Sequence, residues 1–299
     1  MTTVTPTAPA PFGNPASVAA VLERAKQVLV LAGVPSPIAD AELLVGHVLG
    51  VSRGAVQSRA ITGSILDAES LVTVTELVER RATREPLQHI TGRAGFRAME
   101  LAVGPGVFVP RPETEGVAGI AIDALRAFAS PQPIAVDLGT GSGAIALAMA
   151  TEVPHSYVYG VEVSPLAYVW TRQNFREQAP DNARAVFVDL ADALPELNGT
   201  VSVVASNPPY IPAAAIPRDP EVRLFDPEIA LYGGEDGLDI VHNVSSTARR
   251  LLHEGGTLVI EHGELQAAEI AALLAADGWH AITCHRDLLG RDRATTAVR

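Results

Sequence analysis

The chain has 299 residues, 47% hydrophobic and 19% charged, enough for one large domain or two modest ones with packed cores. Its 22 basic against 34 acidic residues leave a net charge of −12, which argues against a non-specific grip on nucleic acid, since phosphate binding rests on clustered Lys and Arg. No run of about 18 apolar residues occurs, which excludes a membrane-spanning helix and leaves a soluble, cytoplasmic chain as the expectation.

Residues 1–15 are rich in Thr, Pro and Ala and lack both a basic and an apolar leader segment. They read as a disordered tail, not a secretory signal. From Ala16 to about Arg84 the pattern is helical: Val18, Val21, Leu22, Ala25, Val28 and Leu29 recur at the spacing of one helix face, closed by Gly33 and Pro35. A second helix runs from Pro37 to Leu49 and stops at Gly50, and a third starts near Asp67 and reaches Arg80-Arg81. Short loops without strand signals predict a small helical bundle over 16–85. The segment 86–112 changes character: β-like runs His89–Thr91, Met99–Val103 and Val107–Val109 between glycines predict a hairpin-like connector.

From Glu113 the chain alternates helix and strand to its end, so 113–299 forms one α/β domain. Strands are expected at Ile134–Leu138, Ser156–Val163, Ala185–Val188, Val201–Ser206, Thr257–Glu261 and Ala281–His285, with helices between most of them. Such alternation predicts a mostly parallel sheet with helices on both faces, and a ligand site beyond the carboxyl ends of the strands. The lone Cys284 cannot form an intrachain disulfide and, without a His/Asn partner signature, reads as an ordinary half-buried cysteine. No metal ligands are assigned.

Two motifs follow strand ends. The first strand runs into Gly139-Thr140-Gly141-Ser142-Gly143, two residues after Asp137, and the second ends in the acidic Glu162. Glycines permit positive φ and a close backbone approach to a ligand, while a carboxylate at the second strand can accept hydrogen bonds from ribose hydroxyls. No Gly-Lys-Ser/Thr follows, so this is not a P-loop. A plain tight turn and a helix-capping acid would use the same residues. D-x-G-x-G-x-G with an acid on the second strand resembles the class I S-adenosylmethionine (SAM) methyltransferases, a Rossmann-like fold. By that resemblance the loop wraps the methionine part of SAM, Glu162 holds the ribose, and Asp189 with Leu190 lies at the adenine; Asp189 would serve equally as a loop-start carboxylate.

The fourth strand ends in Asn207-Pro208-Pro209-Tyr210. Consecutive prolines forbid helix and ladder hydrogen bonding and fix an extended exit. The Asn207 side-chain oxygen and the Pro208 carbonyl can then accept both N–H bonds of a flat NH₂ group, with Tyr210 stacked beside it. Adenine N6, cytosine N4 and a glutamine side chain all fit that description.

Several blocks in order resemble the HemK/PrmC family of glutamine-N5 methyltransferases that modify peptide chain release factors: PLQHITG, FVPRPETE, DLGTGSGAIALA, NPPYI, GGEDGL, GGTLVIEHG and DLLGRDR. The resemblance implies that the N-terminal helices bind the release factor and that Gly139–Gly143 with Glu162 binds SAM, leaving S-adenosylhomocysteine after transfer. It implies further that Asn207–Tyr210 holds the glutamine of a Gly-Gly-Gln loop, also contacting the cofactor through Asn207. Arg111 and Glu113 would lie near the substrate pocket. His262, in the EHG block, reads as a core or surface histidine and not a catalytic one. The alternatives left by the motif are an adenine-N6 methyltransferase acting on nucleic acid and a glutamine methyltransferase acting on a ribosomal protein. The first would need base flipping and a cationic track, and Arg80, Arg81 and Arg84 form only a small cluster at a helix end. A protein substrate, no direct nucleic acid, no membrane and a monomer are the expectations.

Overall fold

The computed structural model describes residues 16–179 and 181–299, so the expected tail over 1–15 lies outside the described residues. The chain divides into two compact units after Thr91, inside the segment expected to be a connector.

The first unit is helical. Two-residue strands β1 (Ala16–Ser17) and β2 (Ile65–Leu66) pair antiparallel and bracket α1 (Val18–Leu31), α2 (Pro37–Leu49) and α3 (Arg53–Ile61); α4 (Ala68–Ala82) and α5 (Leu87–Thr91) follow. The Ser17 hydroxyl and the Asp67 carboxylate cap α1 and α4 by accepting from the N–H groups of Ala20 and Ser70, and Gly50 closes α2 in the left-handed region. Val21, Ala25, Leu29, Leu44, Val45 and Val74 form the interior. Two expectations fail here. Helix α3 buries only Val56, so it carries no apolar periodicity for sequence reading to detect. His89–Thr91 is helix, not strand, because the Pro86 carbonyl accepts from both the His89 and Ile90 N–H groups.

The second unit opens with a hairpin, β3 (Arg93–Phe96) and β4 (Met99–Ala102), and the expected strand at Val107–Val109 is absent. The elements after it are α6 (Pro112–Ala127), β5 (Ile134–Leu138), α7 (Ala144–Glu152), β6 (Tyr157–Glu162), α8 (Pro165–Gln178), β7 (Ala183–Phe187) and β8 (Val201–Ser206). Then come α9 (Pro220–Phe225), α10 (Asp239–Leu251), β9 (Leu252–Glu261), α11 (Ala267–Ala276), β10 (His280–Arg286) and β11 (Asp292–Val298). The strand order is β10-β11-β9-β8-β5-β6-β7; all neighbours from β9 to β7 are parallel, and β11 runs antiparallel between β9 and β10. The mostly parallel sheet with helices is therefore as expected, but β11 and α9 were not anticipated. Strand β11 reads DRATTAV, with polar residues on buried positions such as Thr295, so it lacks the apolar run of its neighbours.

Helix α7 is buried along Ala144–Ala150, apolar on every side, as a helix sandwiched within a core must be. Cys284 lies exposed on β10, correcting the half-buried expectation: β10 borders only β11 and leaves its other edge unpaired. Among the described residues no helix is long and apolar enough to cross a membrane.

The link from β5 to α7 is sterically demanding. Gly143 caps α7 at φ +91°, and an added Cβ would sit 2.9 Å from the Phe175 ring and 3.1 Å from Leu147. Replacing Gly143 with Ala should destabilise the second unit by about 1–3 kcal/mol, read by urea unfolding, because both the backbone region and the packing oppose it.

Candidate active site

Because β5 to β9 are parallel, their carboxyl ends emerge on one edge of the sheet, and a cavity of about 820 Å³ opens there. That volume suits a small-molecule site. Asp137, Gly139, Thr140, Gly141, Ser142, Glu162, Asp189, Leu190 and the whole Asn207–Tyr210 segment line it, whereas Gly143, expected at the cofactor, packs instead against Phe175 and Leu147. Sequence reading placed these residues together, and the structure does bring them together.

The turn after β5 uses positive φ at Gly139 (+73°), Gly141 (+57°) and Gly143 (+91°). The Gly139 and Thr140 N–H groups donate to the Val161 carbonyl, pinning the turn to β6, while the space a Cβ would take at Gly139 and Gly141 is open. Asp137 is buried; its Oδ2 accepts from the Thr140 hydroxyl at 2.6 Å and the Ala146 N–H at 3.1 Å, tying β5 to both turn and helix. Its Oδ1 has no partner. Burial pushes its pKa from 3.8 to about 7, against the opposing pull of those hydrogen bonds.

Glu162 accepts three backbone N–H groups: Gly141 on Oε2 at 2.8 Å, and Val163 and Ser164 on Oε1 at 3.0 and 2.7 Å. It is thus the clamp between the glycine turn and the start of α8, and one acceptor position remains on Oε2 for a ligand. Asp189 caps the following short turn by accepting from the Ala191 N–H at 2.9 Å, the loop-start role left open by its sequence, while still facing the cavity.

The Asn-Pro-Pro-Tyr segment is held from behind by glycines. An added Cβ at Gly233 would lie 2.4 Å from the Pro209 carbonyl oxygen, and one at Gly237 would lie 2.3 Å from that of Tyr210. This close approach explains the GGEDGL block: backbone packs directly on backbone. The Gln266 side chain donates to the Tyr210 carbonyl at 3.0 Å. Burial pushes the Tyr210 phenol up to about 12, so it stays protonated and serves as a surface, not a base. The Asn207 Nδ2 lies 3.5 Å from the Thr114 hydroxyl. Glu261 is buried with its Oε2 unpartnered, and its pKa is raised from 4.5 to about 7, chiefly by burial.

Arg111 precedes α6 and pairs with Asp226 at 2.6 Å while its guanidinium sits 4.9 Å from the Phe108 ring centroid. Its charge is committed to shaping the cavity wall. Burial raises Asp226 to about 6, opposed first by the Arg111 charge. Glu113 lines the cavity from the first turn of α6. His262 is wholly buried, with Nδ1 2.9 Å from the Gly263 carbonyl and Nε2 2.9 Å from the Thr295 hydroxyl; burial lowers its pKa. It is a neutral core histidine, as its sequence context suggested.

Sequence reading missed Thr114, Asp226 and Glu261. Glu261 closes the apolar run Leu258–Ile260, which was its available signal, whereas Thr114, between Glu113 and Glu115, stood out from nothing around it. Asp226 carried none, since its partner Arg111 is remote in the chain.

A parallel sheet closed by one antiparallel strand, with its cavity at the carboxyl ends and a glycine turn after its central strand, places the chain among the Rossmann-like methyltransferases. Residues 20–92 match the family model "PrmC N-terminal domain" and residues 104–225 match "Methyltransferase small domain". The release factor glutamine methyltransferase of Streptomyces coelicolor is 49% identical over 280 residues, 93% of this chain and 96% of that one. Its counterpart in Bifidobacterium longum is 43% identical over 93% of this chain and 98% of its own. A 4-amino-L-phenylalanine/4-methylamino-L-phenylalanine methyltransferase of Streptomyces pristinaespiralis is 38% identical over 95% of each chain. The chain belongs to the release factor glutamine methyltransferase family.

The raised pKa of Asp137 has a consequence for stability. A carboxyl whose folded pKa exceeds its unfolded value stabilises the fold fully below the unfolded pKa, and that contribution is lost as pH rises through the folded one. Asp137→Asn should therefore gain stability relative to the parent as pH rises from about 4 to about 7, with the gap constant above; urea unfolding at pH 4.5, 6 and 8 measures it.

Proposed function

We propose that this enzyme transfers a methyl group from SAM to the side-chain amide nitrogen of the glutamine in the Gly-Gly-Gln motif of peptide chain release factors. The observation that carries the reading is that Asn207–Tyr210 opens onto the same cavity as the glycine turn. A donor held by one motif is thus beside an acceptor held by the other.

The residues fit SAM. Open space beside Gly139 and Gly141 admits a ligand against the backbone, and the buried, unpartnered Asp137 Oδ1 supplies an acceptor. Gly139–Ser142 would cradle the amino-acid part, Glu162 would accept from the ribose, and Asp189 and Leu190 would border the base. SAM supplies an electrophilic methyl on a sulfonium. Asn207 Oδ1 and the Pro208 carbonyl accept the two N–H bonds of the glutamine amide, aim its nitrogen, and stabilise the positive charge that grows on it. The Tyr210 ring flanks the flat amide. Arg111, braced by Asp226, and Glu113 border the substrate side.

The release factor names of the curated relatives support the acceptor, and the S. pristinaespiralis relative is named for a substrate that also bears a flat NH₂ group. A protein substrate, without direct nucleic acid, agrees with the net charge of −12. The helical unit contributes recognition of the factor, and the enzyme acts in the cytoplasm as a monomer.

Incubation with labelled SAM, release factor and duplex DNA side by side, followed by mass spectrometry of the Gly-Gly-Gln peptide, tests the proposal; label in DNA alone overturns it. Asn207→Ala should lower the rate by about 100-fold or more while SAM affinity changes far less. Glu162→Ala should weaken SAM binding about tenfold or more by calorimetry, and an unchanged affinity would remove its cofactor role.

A further inference from the structure

We infer that Gln266, at the start of α11, is a positioning residue for methyl transfer: it holds the Tyr210 ring in place from behind the cavity wall. Gln266 is 9% exposed and is not among the cavity-lining residues, so it acts through Tyr210 and not on substrate. Its Nε2 donates to the Tyr210 carbonyl at 3.0 Å, and its Oε1 accepts from the Gly263 N–H at 3.0 Å. A carbonyl only accepts and a backbone N–H only donates, so these two partners leave one orientation for the amide.

The arrangement replaces a missing rung of the sheet. The parallel ladder between β8 and β9 ends at the pair Ser206 and Ile260, and Pro208 and Pro209 have no N–H with which to extend it. Beyond that point a side chain joins the two exits. The Gln266 amide stands between the Gly263 N–H and the Tyr210 carbonyl as a peptide group of a further strand would.

This one residue grips Tyr210 at two places. The carbonyl is held directly, in a space so tight that an added Cβ at Gly237 would lie 2.3 Å from its oxygen and 2.9 Å from Gln266 Nε2. The ring rests against the loop that Oε1 anchors, since an added Cβ at Gly263 would lie 3.8 Å from Tyr210 Cδ2. The next residue, Ile211, is fixed separately by donating to the Leu231 carbonyl at 2.9 Å. Loss of Gln266 therefore frees the ring while the chain on either side keeps its own restraints. The surface that flanks the acceptor amide loses its aim, and the donor site does not.

The inference rests on reading Tyr210 as the surface beside the acceptor amide. Gln266→Met keeps the length of the side chain and removes both hydrogen bonds. Gln266→Asn keeps both polar groups on a stem too short to reach both partners. On release factor, kcat should fall about tenfold in each, with KM for the factor and SAM affinity held within about twofold. The calorimetric stoichiometry for SAM should equal the parent's, so that the loss is not a loss of folded enzyme. In a Tyr210→Ala background, Gln266→Met should change kcat by less than about twofold, because the ring it steers is gone. A kcat within about twofold of the parent in either variant, or losses that multiply in the double variant, overturns the inference. Should Gln266→Met not fold, Gln266→Asn decides, alone and in the Tyr210→Ala background. A parent enzyme inactive on release factor overturns the proposed function instead; the Tyr210 ring resonances, expected to move in Gln266→Asn by NMR, then decide the inference, and unmoved signals overturn it.

Discussion

A parallel ladder delivers the carboxyl end of every strand to one edge of the sheet, and the whole site depends on that constraint. Strands β5, β6, β7, β8 and β9 end, in turn, next to the glycine turn, Glu162, Asp189, Asn207 and Glu261. No local interaction could gather residues so far apart in the chain. The strand ends also share a chemical problem, since the ladder stops while backbone N–H groups continue. Side-chain carboxylates solve it: Glu162 takes three such groups, Asp137 one, and Asp189 one. The residues that face the cavity are thus also those that hold the loops in place.

Buried carboxylates stand both at the cavity and behind its wall. Asp137, Asp226 and Glu261 have pKa values raised to about 7, 6 and 7, each mainly because burial penalises the charge. Each also retains one oxygen without a protein partner. Strain of this kind collects where chemistry is done, because an apolar replacement would pack better and recognise nothing. Arg111 and Asp226 divide the same labour differently, as one ion pair that stiffens the wall between α6 and α9.

Much of the site was legible in the sequence, for a definite reason. The glycine turn and Asn207–Tyr210 each owe their shape to backbone restrictions within a few consecutive residues, which composition alone displays. The helix and strand order of the second unit was legible too, through apolar runs of the right length. Helix α3 was not, because it buries one residue, and β11 was not, because it is buried while polar. His89–Thr91 misled for the opposite reason: a short triplet carrying the β-branched Ile90 and Thr91 was captured by the Pro86 carbonyl as a helical turn.

By itself the sequence determined the class of fold, the glycine turn after β5, and the rigid extended exit at Asn207–Tyr210. These are properties of neighbours in the chain, governed by φ, ψ and hydrogen-bonding capacity that each residue type carries with it. The tertiary structure alone decided how those groups are aimed. That Glu162 clamps the glycine turn and that Gly233 and Gly237 support the Pro209 and Tyr210 carbonyls follow from partners remote in the chain. The direction of a hydrogen bond is a property of a pair, and the fold chooses the pairs.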